Sequence, residues 1–275
     1  TSVLSGIVRL FNRWRFVLAL FLLVYAALLL IELGYTAIVW DEAPHLYGSL
    51  LLSRGQFQEY IQAEAYYPPL FDAVTGLSFK ILGPSGFSAR LVAVMFSVLS
   101  VWAVFEFAHR LYGPKTALLA SVLLASMPGF IWLSRMALLE TMLLFFFSIS
   151  ILLFFSWMRT NNDKTLFLSG LILGLGFLVK YQALVGGIIM LVSLLFMGRQ
   201  RIVTKLGKFS FLFIIAAIVV LPWFFFTFQQ YAAGTLGTWF STLQMGNEGR
   251  LVYSGRFPSP VFYLIEMIYP YSHIH

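Results

Sequence analysis

The sequence predicts an all-α fold, a polytopic transmembrane helical bundle of about seven spans with the possible start of an eighth near Pro260. Hydrophobic residues make up 60% of the 275 residues, charged residues only 11%, and the mean hydropathy is +0.87. Soluble domains are about half apolar and about a quarter charged, so a water-soluble protein of this length could not bury this much apolar surface. The apolar residues also form runs of about 20, the length that crosses a bilayer.

The predicted spans follow these apolar runs in order. They are 16–39, 91–107, 116–134 with a bend at Pro128, 141–158, 165–179, 181–198 and 209–228. The first is too long for a cleaved signal peptide and has no small-residue cleavage site. Only a tight corner at Lys180 separates the fifth span from the sixth. Gly170, Gly174 and Gly176 would let the fifth span pack closely on a neighbouring helix.

Residues 41–88 form the long first loop, for which two helices lying on the membrane interface are predicted. Pro44 suits the first turn of one helix, which stops near Gly55. Pro68 and Pro69 can open the second, and the motif at 83–86 ends it. The whole chain, 1–275, is predicted to be a single transmembrane module, with an outer loop and a possible truncated next span in 229–275.

Basic residues predict the orientation of the spans. They cluster in the short gaps between spans that a cytoplasmic N-terminus would place inside, as the positive-inside rule requires. The net charge of +7 is therefore explained by topology and does not indicate nucleic-acid binding. Most acidic residues fall in the outer segments, which suggests a functional outer surface.

Asp41 and Glu42 directly follow the first span and are the candidate catalytic pair. A carboxylate beside the low-dielectric membrane can act as a general base. Alternatively, both acids are solvated and only mark the end of a helix. His45 lies one helical turn after Asp41. It could be a partner of Asp41, a metal ligand or a residue without a functional role.

Two outer cations could bind a phosphate, and each has a structural alternative. Arg135 could bind it bidentately, or it could pair with Glu140. Lys180 could neutralise a lipid-borne phosphate at its own depth, or only extend to the interface. Tyr66 and Tyr67 precede the paired prolines, where tyrosine is also a common interfacial anchor.

The sequence leaves metal binding open. His273 and His275 form an HxH pair near the end of the chain, and the weak candidates for a metal are these two with Asp41, Glu42 and His45. The chain has no cysteine, which excludes disulfides, thiolate metal sites and cysteine nucleophiles. It also has no P-loop, nucleophile elbow, HExxH or dinucleotide-binding motif.

The order of these motifs resembles the GT-C superfamily of membrane glycosyltransferases. The series is a basic N-terminus, a first span, Asp41-Glu42, the run 67–70 (Tyr-Pro-Pro-Leu), Arg135 with Glu140, and Gly174-x-Gly176-x-x-x-Lys180. It is most similar to the branch of dolichyl-phosphate-mannose-protein mannosyltransferases and aminoarabinose transferases.

The resemblance implies an enzyme that moves a sugar, a hexose or a pentose, from a polyprenyl-phosphate donor to a hydroxyl of a protein, glycan or lipid. It implies that Asp41 is the general base, that Glu42 fills the second acidic position, and that Arg135, Lys180 and Tyr181 lie near the donor phosphate. His45, Tyr66, Tyr67 and Glu140 are then expected near the acceptor or donor, and no cofactor beyond a possible divalent metal is implied.

The implied enzyme is a multi-pass protein of the cell membrane, or of the endoplasmic reticulum in a eukaryote, with its active site outside. In the family, a His or an acid followed by Lys usually precedes the paired prolines, where this chain has Tyr66 and Tyr67. That difference leaves the identity of the acceptor and of any metal site open.

Two alternative functions are a transporter or lipid flippase and a non-catalytic membrane subunit. A transporter would favour charged groups in mid-membrane, but the charges here gather at the outer edge.

Overall fold

A computed structural model describes residues 2–64, 67–196 and 205–228, with backbone alone for residues 2–12 and 64. The chain divides into two compact units, Thr1–Phe224 and Phe225–His275. Of the second unit, only residues 225–228 are described, as the end of a helix. Every regular element in the described part of the chain is a helix, which confirms the all-α prediction.

Eleven α-helices are described. They are α1 Ser2–Leu30, α2 Glu42–Ser53, α3 Phe57–Glu64, α4 Leu70–Leu82, α5 Gly86–Tyr112, α6 Pro114–Ser126, α7 Pro128–Ser134, α8 Glu140–Thr160, α9 Asp163–Val179, α10 Leu184–Leu195 and α11 Lys205–Phe228. A short 3₁₀ turn, Tyr181–Ala183, joins α9 to α10.

Four of the described helices, α1, α5, α8 and α11, are long and apolar enough to cross a membrane. Helices α6 and α7 meet at Pro128 with a bend of 70° and together form a fifth candidate span, so the predicted bend is confirmed. Helices α9 and α10 are present where the fifth and sixth spans were predicted, but with 17 and 12 residues they are shorter than a typical span of about 20 residues. The predicted eighth span lies outside the described residues.

The first span ends earlier than predicted. Helix α1 stops at Leu30 instead of continuing to Val39, and Glu32 adopts a positive φ of 52° in the turn that follows. The last carbonyl groups of a helix lack partners within it. Here, Arg135 donates to the carbonyl groups of Leu29 and Ile31. These contacts stabilise the end of α1 at Leu30, within the span that was predicted to continue to residue 39.

The predicted loop 41–88 contains three helices, not two. Helices α2 and α4 match the predictions from Pro44 and from the paired prolines, and Gly55, with φ of 74°, follows the end of α2 as expected. The additional helix, α3, lies between them and was missed because glutamines and glutamates interrupt its few apolar residues. Ser85 then caps α5 in a reciprocal capping box with Ser88.

Glycines hold α9 close to α11, as the sequence predicted. A Cβ atom added to Gly170 would lie 2.6 Å from the carbonyl oxygen of Leu212, and one added to Gly174 would lie 2.8 Å from the Cβ of Val219. Atoms of larger side chains cannot approach backbone this closely. The backbones of α9 and α11 are therefore in direct contact.

One apolar cluster lies at the end of the bundle where α2, α4, the start of α5, the start of α8 and the end of α9 meet. We call this the Asp41 end. The cluster includes Phe71, Val92, Ala137, Met142 and Val179, all buried. Because these residues come from four helices and the α7–α8 connection, their packing fixes the neighbouring polar residues relative to one another.

We expect Gly170→Ala to lower the free energy of unfolding by about 1–3 kcal/mol, because its methyl group would overlap the α11 backbone. The matched control is Gly207→Ala in α11, where the added Cβ meets no atom within 4 Å. That control should be neutral or slightly stabilising. Thermal unfolding in detergent measures both variants, and equal midpoints would contradict the close approach.

Candidate active site

A buried ion pair lies at the Asp41 end between Glu42, the first residue of α2, and Arg90 of α5. Arg90 Nε donates to Glu42 Oε1 at 2.8 Å, and Arg90 Nη2 donates to Oε2 at 2.7 Å. Each side chain is only 1% exposed. This bidentate geometry is the strongest form of an arginine–carboxylate contact.

The remaining N–H groups of Arg90 bind the chain that follows α1. Nη1 donates to the carbonyl oxygen of Leu33 and to the carbonyl and hydroxyl oxygens of Thr36, and Nη2 donates to the carbonyl oxygen of Ala37. All five donors of this guanidinium therefore have an acceptor. Arg90 joins α5, α2 and the segment between α1 and α2.

Both oxygens of the Glu42 carboxylate also have hydrogen-bond donors. Besides Arg90, it accepts the backbone N–H of Ala137 at 2.7 Å and that of Val39 at 3.0 Å. Burial alone would raise the pKa of Glu42, but the hydrogen bonds from Arg90, Ala137 and Val39 outweigh burial and hold that pKa below its ordinary value. Glu42 is thus an ionised carboxylate with four donors, in a position to stabilise the fold.

Asp41 lies next to Glu42 but has a different environment. It occupies the N-cap position of α2, makes no capping hydrogen bond, and is exposed. Among the described residues, its carboxylate has neither a hydrogen-bond nor an ion-pair partner. Of these two adjacent acids, Glu42 is therefore held in place by its hydrogen bonds, whereas the carboxylate of Asp41 is accessible to a ligand.

His45 does not lie free on α2, because its side chain is buried and bonded. Its Nδ1 lies 2.9 Å from Asp72 Oδ1, and Tyr60 donates its hydroxyl to Asp72 Oδ2 at 3.1 Å. The rings of Tyr67 and Phe71 meet the imidazole edge-on at 4.7 and 5.6 Å. This group connects α2, α3 and α4.

Asp72 is fully buried, and burial raises its pKa above the ordinary value, while the hydrogen bonds from His45 and Tyr60 act in the opposite direction. A carboxylate on Nδ1 fixes the orientation of an imidazole and its tautomer. No hydrogen bond to Nε2 of His45 is present among the described residues. The imidazole therefore keeps one ring nitrogen that no described residue occupies.

Lys180 and Glu140 form a second ion pair at the Asp41 end. Lys180 Nζ lies 2.8 Å from Glu140 Oε1, and the two side chains are 27% and 34% exposed. Lys180 follows α9 in an extended conformation, at the predicted corner. Glu140 is the first residue of α8. The alternative pairing of Glu140 with Arg135 is wrong, because each has another partner.

Arg135 binds the end of α1 rather than an acid. Its Nη1 lies 3.0 Å from the carbonyl oxygen of Leu29, and its Nη2 lies 2.6 Å from that of Ile31. Its Nη1 also lies 3.5 Å from the carbonyl oxygen of Leu28, and no other acceptor for this guanidinium is present among the described residues. Tyr181 follows Lys180 and packs against Phe177 with ring centroids 5.3 Å apart.

Several predicted positions lie outside the described residues, namely Tyr66, His273 and His275. Within 2–64, 67–196 and 205–228, no group of three or more His, Asp or Glu residues could hold a metal ion. Within this set, Glu42 is bonded to Arg90 and Nδ1 of His45 to Asp72. The described residues therefore do not form a metal centre.

Sequence reasoning missed Arg90, Asp72 and Tyr60. For Arg90, a lone cation directly before an apolar run is a usable signal. The partners of Arg90 and Asp72 lie 48 and 27 residues away in sequence, a separation that no local pattern indicates.

We expect Glu42→Gln to lower the free energy of unfolding by about 3–5 kcal/mol, because it leaves the buried Arg90 charge uncompensated. Thermal or denaturant unfolding in detergent measures the change. Asp41→Asn, on an exposed neighbour without a partner, should change stability by no more than about 0.5 kcal/mol. Similar losses in both variants would contradict the division between the two acids.

The stability supplied by Glu42 should depend on pH. A carboxyl whose pKa is lower in the folded state stabilises above its unfolded pKa, about 4.3, and that contribution is lost as pH falls through the folded pKa. The difference between wild type and Glu42→Gln should thus be largest near neutral pH and shrink below about pH 4.3. If the difference in free energy of unfolding between wild type and Glu42→Gln stayed constant down to the acid range, that result would contradict an ionised Glu42 in the folded protein.

Comparison with known proteins places the chain in a family. Residues 67–226 match the family model of dolichyl-phosphate-mannose-protein mannosyltransferases. This range contains Asp72, Arg90 and Lys180 but begins after Asp41 and Glu42. No curated protein sequence matches the chain significantly.

Among solved structures, the chain is similar to ArnT from Cupriavidus metallidurans in the apo state, with a TM-score of 0.61 and 16% sequence identity. The match covers 81% of this chain and 43% of that one, so the chain spans less than half the length of the ArnT structure. The similarity shows a GT-C fold. With its apolar helices, this chain is an integral membrane protein that belongs to the dolichyl-phosphate-mannose-protein mannosyltransferase family.

Proposed function

We propose that this chain is the membrane module of a glycosyltransferase that moves a sugar from a polyprenyl-phosphate donor to an acceptor hydroxyl, with Asp41 as the general base. Family membership and the GT-C fold support the reaction class. The observation that supports Asp41 most strongly is its exposed carboxylate without a partner among the described residues, beside a Glu42 that is fully bonded.

In the proposed reaction, the acceptor hydroxyl attacks the anomeric carbon of the sugar and its proton passes to the Asp41 carboxylate. The bond between the anomeric carbon and the phosphate oxygen breaks, and polyprenyl phosphate leaves with the bonding electrons. Attack on the face opposite the leaving group inverts the anomeric configuration. The base must be reachable from outside the protein, as the exposed Asp41 is.

Lys180 is the proposed cation for the leaving phosphate. Its pairing with Glu140 uses one of its three N–H donors, and the side chain is partly exposed. A fixed cation near the membrane interface would stabilise the negative charge that grows on the phosphate. Tyr181, the next residue, would lie beside the same phosphate.

A groove beside Arg135 is a candidate for part of the lipid tail. It has a volume of about 310 Å³ and lies between α1, α6 and α7, with apolar walls that include Phe21, Leu28 and Ile131. Arg135 lines the same groove and keeps N–H donors that α1 does not use. An apolar tail with a phosphate at one end would complement this arrangement.

We assign Glu42 a positioning role instead of a catalytic one, because its oxygens are occupied by Arg90, Ala137 and Val39. His45, held by Asp72, and Tyr67 beside it are proposed contacts for the acceptor or the donor sugar. The Asp41 end is proposed to face away from the cytoplasm.

The class of sugar that is transferred, hexose or pentose, is determined by offering polyprenyl-phosphate donors of both classes in the same transfer assay.

We expect Asp41→Asn to lower the transfer rate by at least about a hundredfold, the usual contribution of a general base, without changing the unfolding midpoint. Transfer from a polyprenyl-phosphate sugar by the full-length protein in detergent measures the rate. Glu59→Gln is the matched control, since Glu59 is another exposed acid of the same loop without a described partner. It should leave the rate unchanged.

Two results would overturn the proposal. Undiminished transfer by Asp41→Asn would exclude Asp41 as the base while leaving the reaction class intact. Absence of transfer by the folded wild-type protein with every donor, together with substrate flux in proteoliposomes, would instead favour a transporter.

A further inference from the structure

Two arginines share a groove at the end of the bundle far from Asp41. The groove has a volume of about 200 Å³ and lies between the last turns of α5 and α8. Arg110 and Arg159 line it together with apolar residues, among them Phe107, Leu111 and Phe155. The rings of Phe107 and Phe155 meet edge-on with centroids 5.9 Å apart. The groove thus combines apolar walls with two positive charges.

The two guanidiniums lie on neighbouring helix ends. Arg159 Nη1 donates to the backbone carbonyl oxygen of Arg110 at 3.2 Å, a contact that also satisfies the C-terminal end of α5. This bond uses one of the five N–H donors of Arg159. Both side chains are exposed, so their remaining donors can reach a ligand.

No acid in the described part of the chain neutralises these two arginines. Two acidic residues lie at this end of the described chain, and each is paired elsewhere. Glu106, one turn before Arg110 on α5, lies 3.2 Å from Arg15 of α1. Asp163 lies 2.7 Å from Lys208 of α11. Neither Arg110 nor Arg159 has a side-chain partner of opposite charge among the described residues.

The position of the groove matches the depth of lipid headgroups. Arg110 lies 20 residues after Arg90 on α5, a rise of about 30 Å along the helix. The apolar core of a bilayer is about 30 Å thick. If Arg90 lies near one interface, Arg110 and Arg159 lie near the other, where phosphates of phospholipids are found.

We infer that this groove is a binding site for one anionic phospholipid, with the phosphodiester on Arg110 and Arg159 and the first part of an acyl chain against Phe107, Leu111 and Phe155. Basic pockets between transmembrane helices bind anionic headgroups in this way. Two unneutralised guanidiniums favour an anionic headgroup over a zwitterionic one. The site is separate from the Asp41 end and does not depend on the reaction proposed there.

Native mass spectrometry of the full-length protein in detergent tests the site with phosphatidylglycerol and phosphatidylcholine of identical acyl chains. We expect phosphatidylglycerol to be retained in preference to phosphatidylcholine. The double variant Arg110→Gln/Arg159→Gln should lose that preference, about fivefold for each arginine removed. The charge-matched control is Lys115→Gln/Lys164→Gln, since both lysines are exposed at the same end but do not line this groove. It should keep the preference.

Ser156→Trp provides a second variant that keeps both arginines. Ser156 lines the groove, so a large side chain there should obstruct it and reduce phosphatidylglycerol retention. Inorganic phosphate is added in a separate arm, and we expect it neither to bind the groove at millimolar concentration nor to displace the lipid.

The inference is overturned if folded Arg110→Gln/Arg159→Gln retains phosphatidylglycerol as wild type does, or if the lysine control loses the preference equally. It is also overturned if Ser156→Trp binds the lipid normally. Displacement of the lipid by inorganic phosphate would assign the two arginines to a free anion instead of a phospholipid.

Discussion

The arrangement of the Asp41 end depends on the buried pair of Arg90 and Glu42. A single guanidinium binds the carboxylate at the start of α2 and the carbonyl groups of the segment that follows α1. The same carboxylate accepts the N–H of Ala137 in the connection between α7 and α8. Because both charges are buried, loss of either partner would leave the other without compensation.

This pair gives the two neighbouring acids different roles. The Glu42 carboxylate accepts hydrogen bonds from four N–H donors. It thereby connects the start of α2 with Arg90 of α5 and with Ala137 in the α7–α8 connection. Asp41 precedes it by one residue, so fixing Glu42 also fixes the backbone that carries Asp41, while its carboxylate stays exposed. A preorganised and accessible base is what the proposed transfer requires. The pair therefore links the stability of the fold to the proposed chemistry.

The composition and the local signals of the sequence predicted much of this fold. Apolar runs located the long helices, Pro128 located the bend between α6 and α7, and Gly170 and Gly174 predicted the close approach that α11 makes. These features are encoded within about 20 neighbouring residues. The family resemblance also followed from motif order, and the family model and the fold confirm it.

Features that depend on distant partners were not predictable in this way. Nothing near residue 42 indicates that its partner is Arg90, and nothing near residue 45 indicates Asp72. The end of α1 at Leu30 likewise depends on contacts from Arg135, 106 residues after Leu29. Helix α3 lacks an apolar stretch, so its formation depends on contacts such as that between Tyr60 and Asp72.

Carboxyl labelling tests the central division between Asp41 and Glu42 most directly. The folded protein is treated with a water-soluble carbodiimide and an amine, and fragment-ion mass spectrometry separates the two adjacent residues. The structure predicts rapid labelling of Asp41, protection of Glu42, and exposure of Glu42 to the reagent once Arg90 is replaced by Gln. Labelling of Glu42 as fast as Asp41 in the folded wild-type protein would contradict the account.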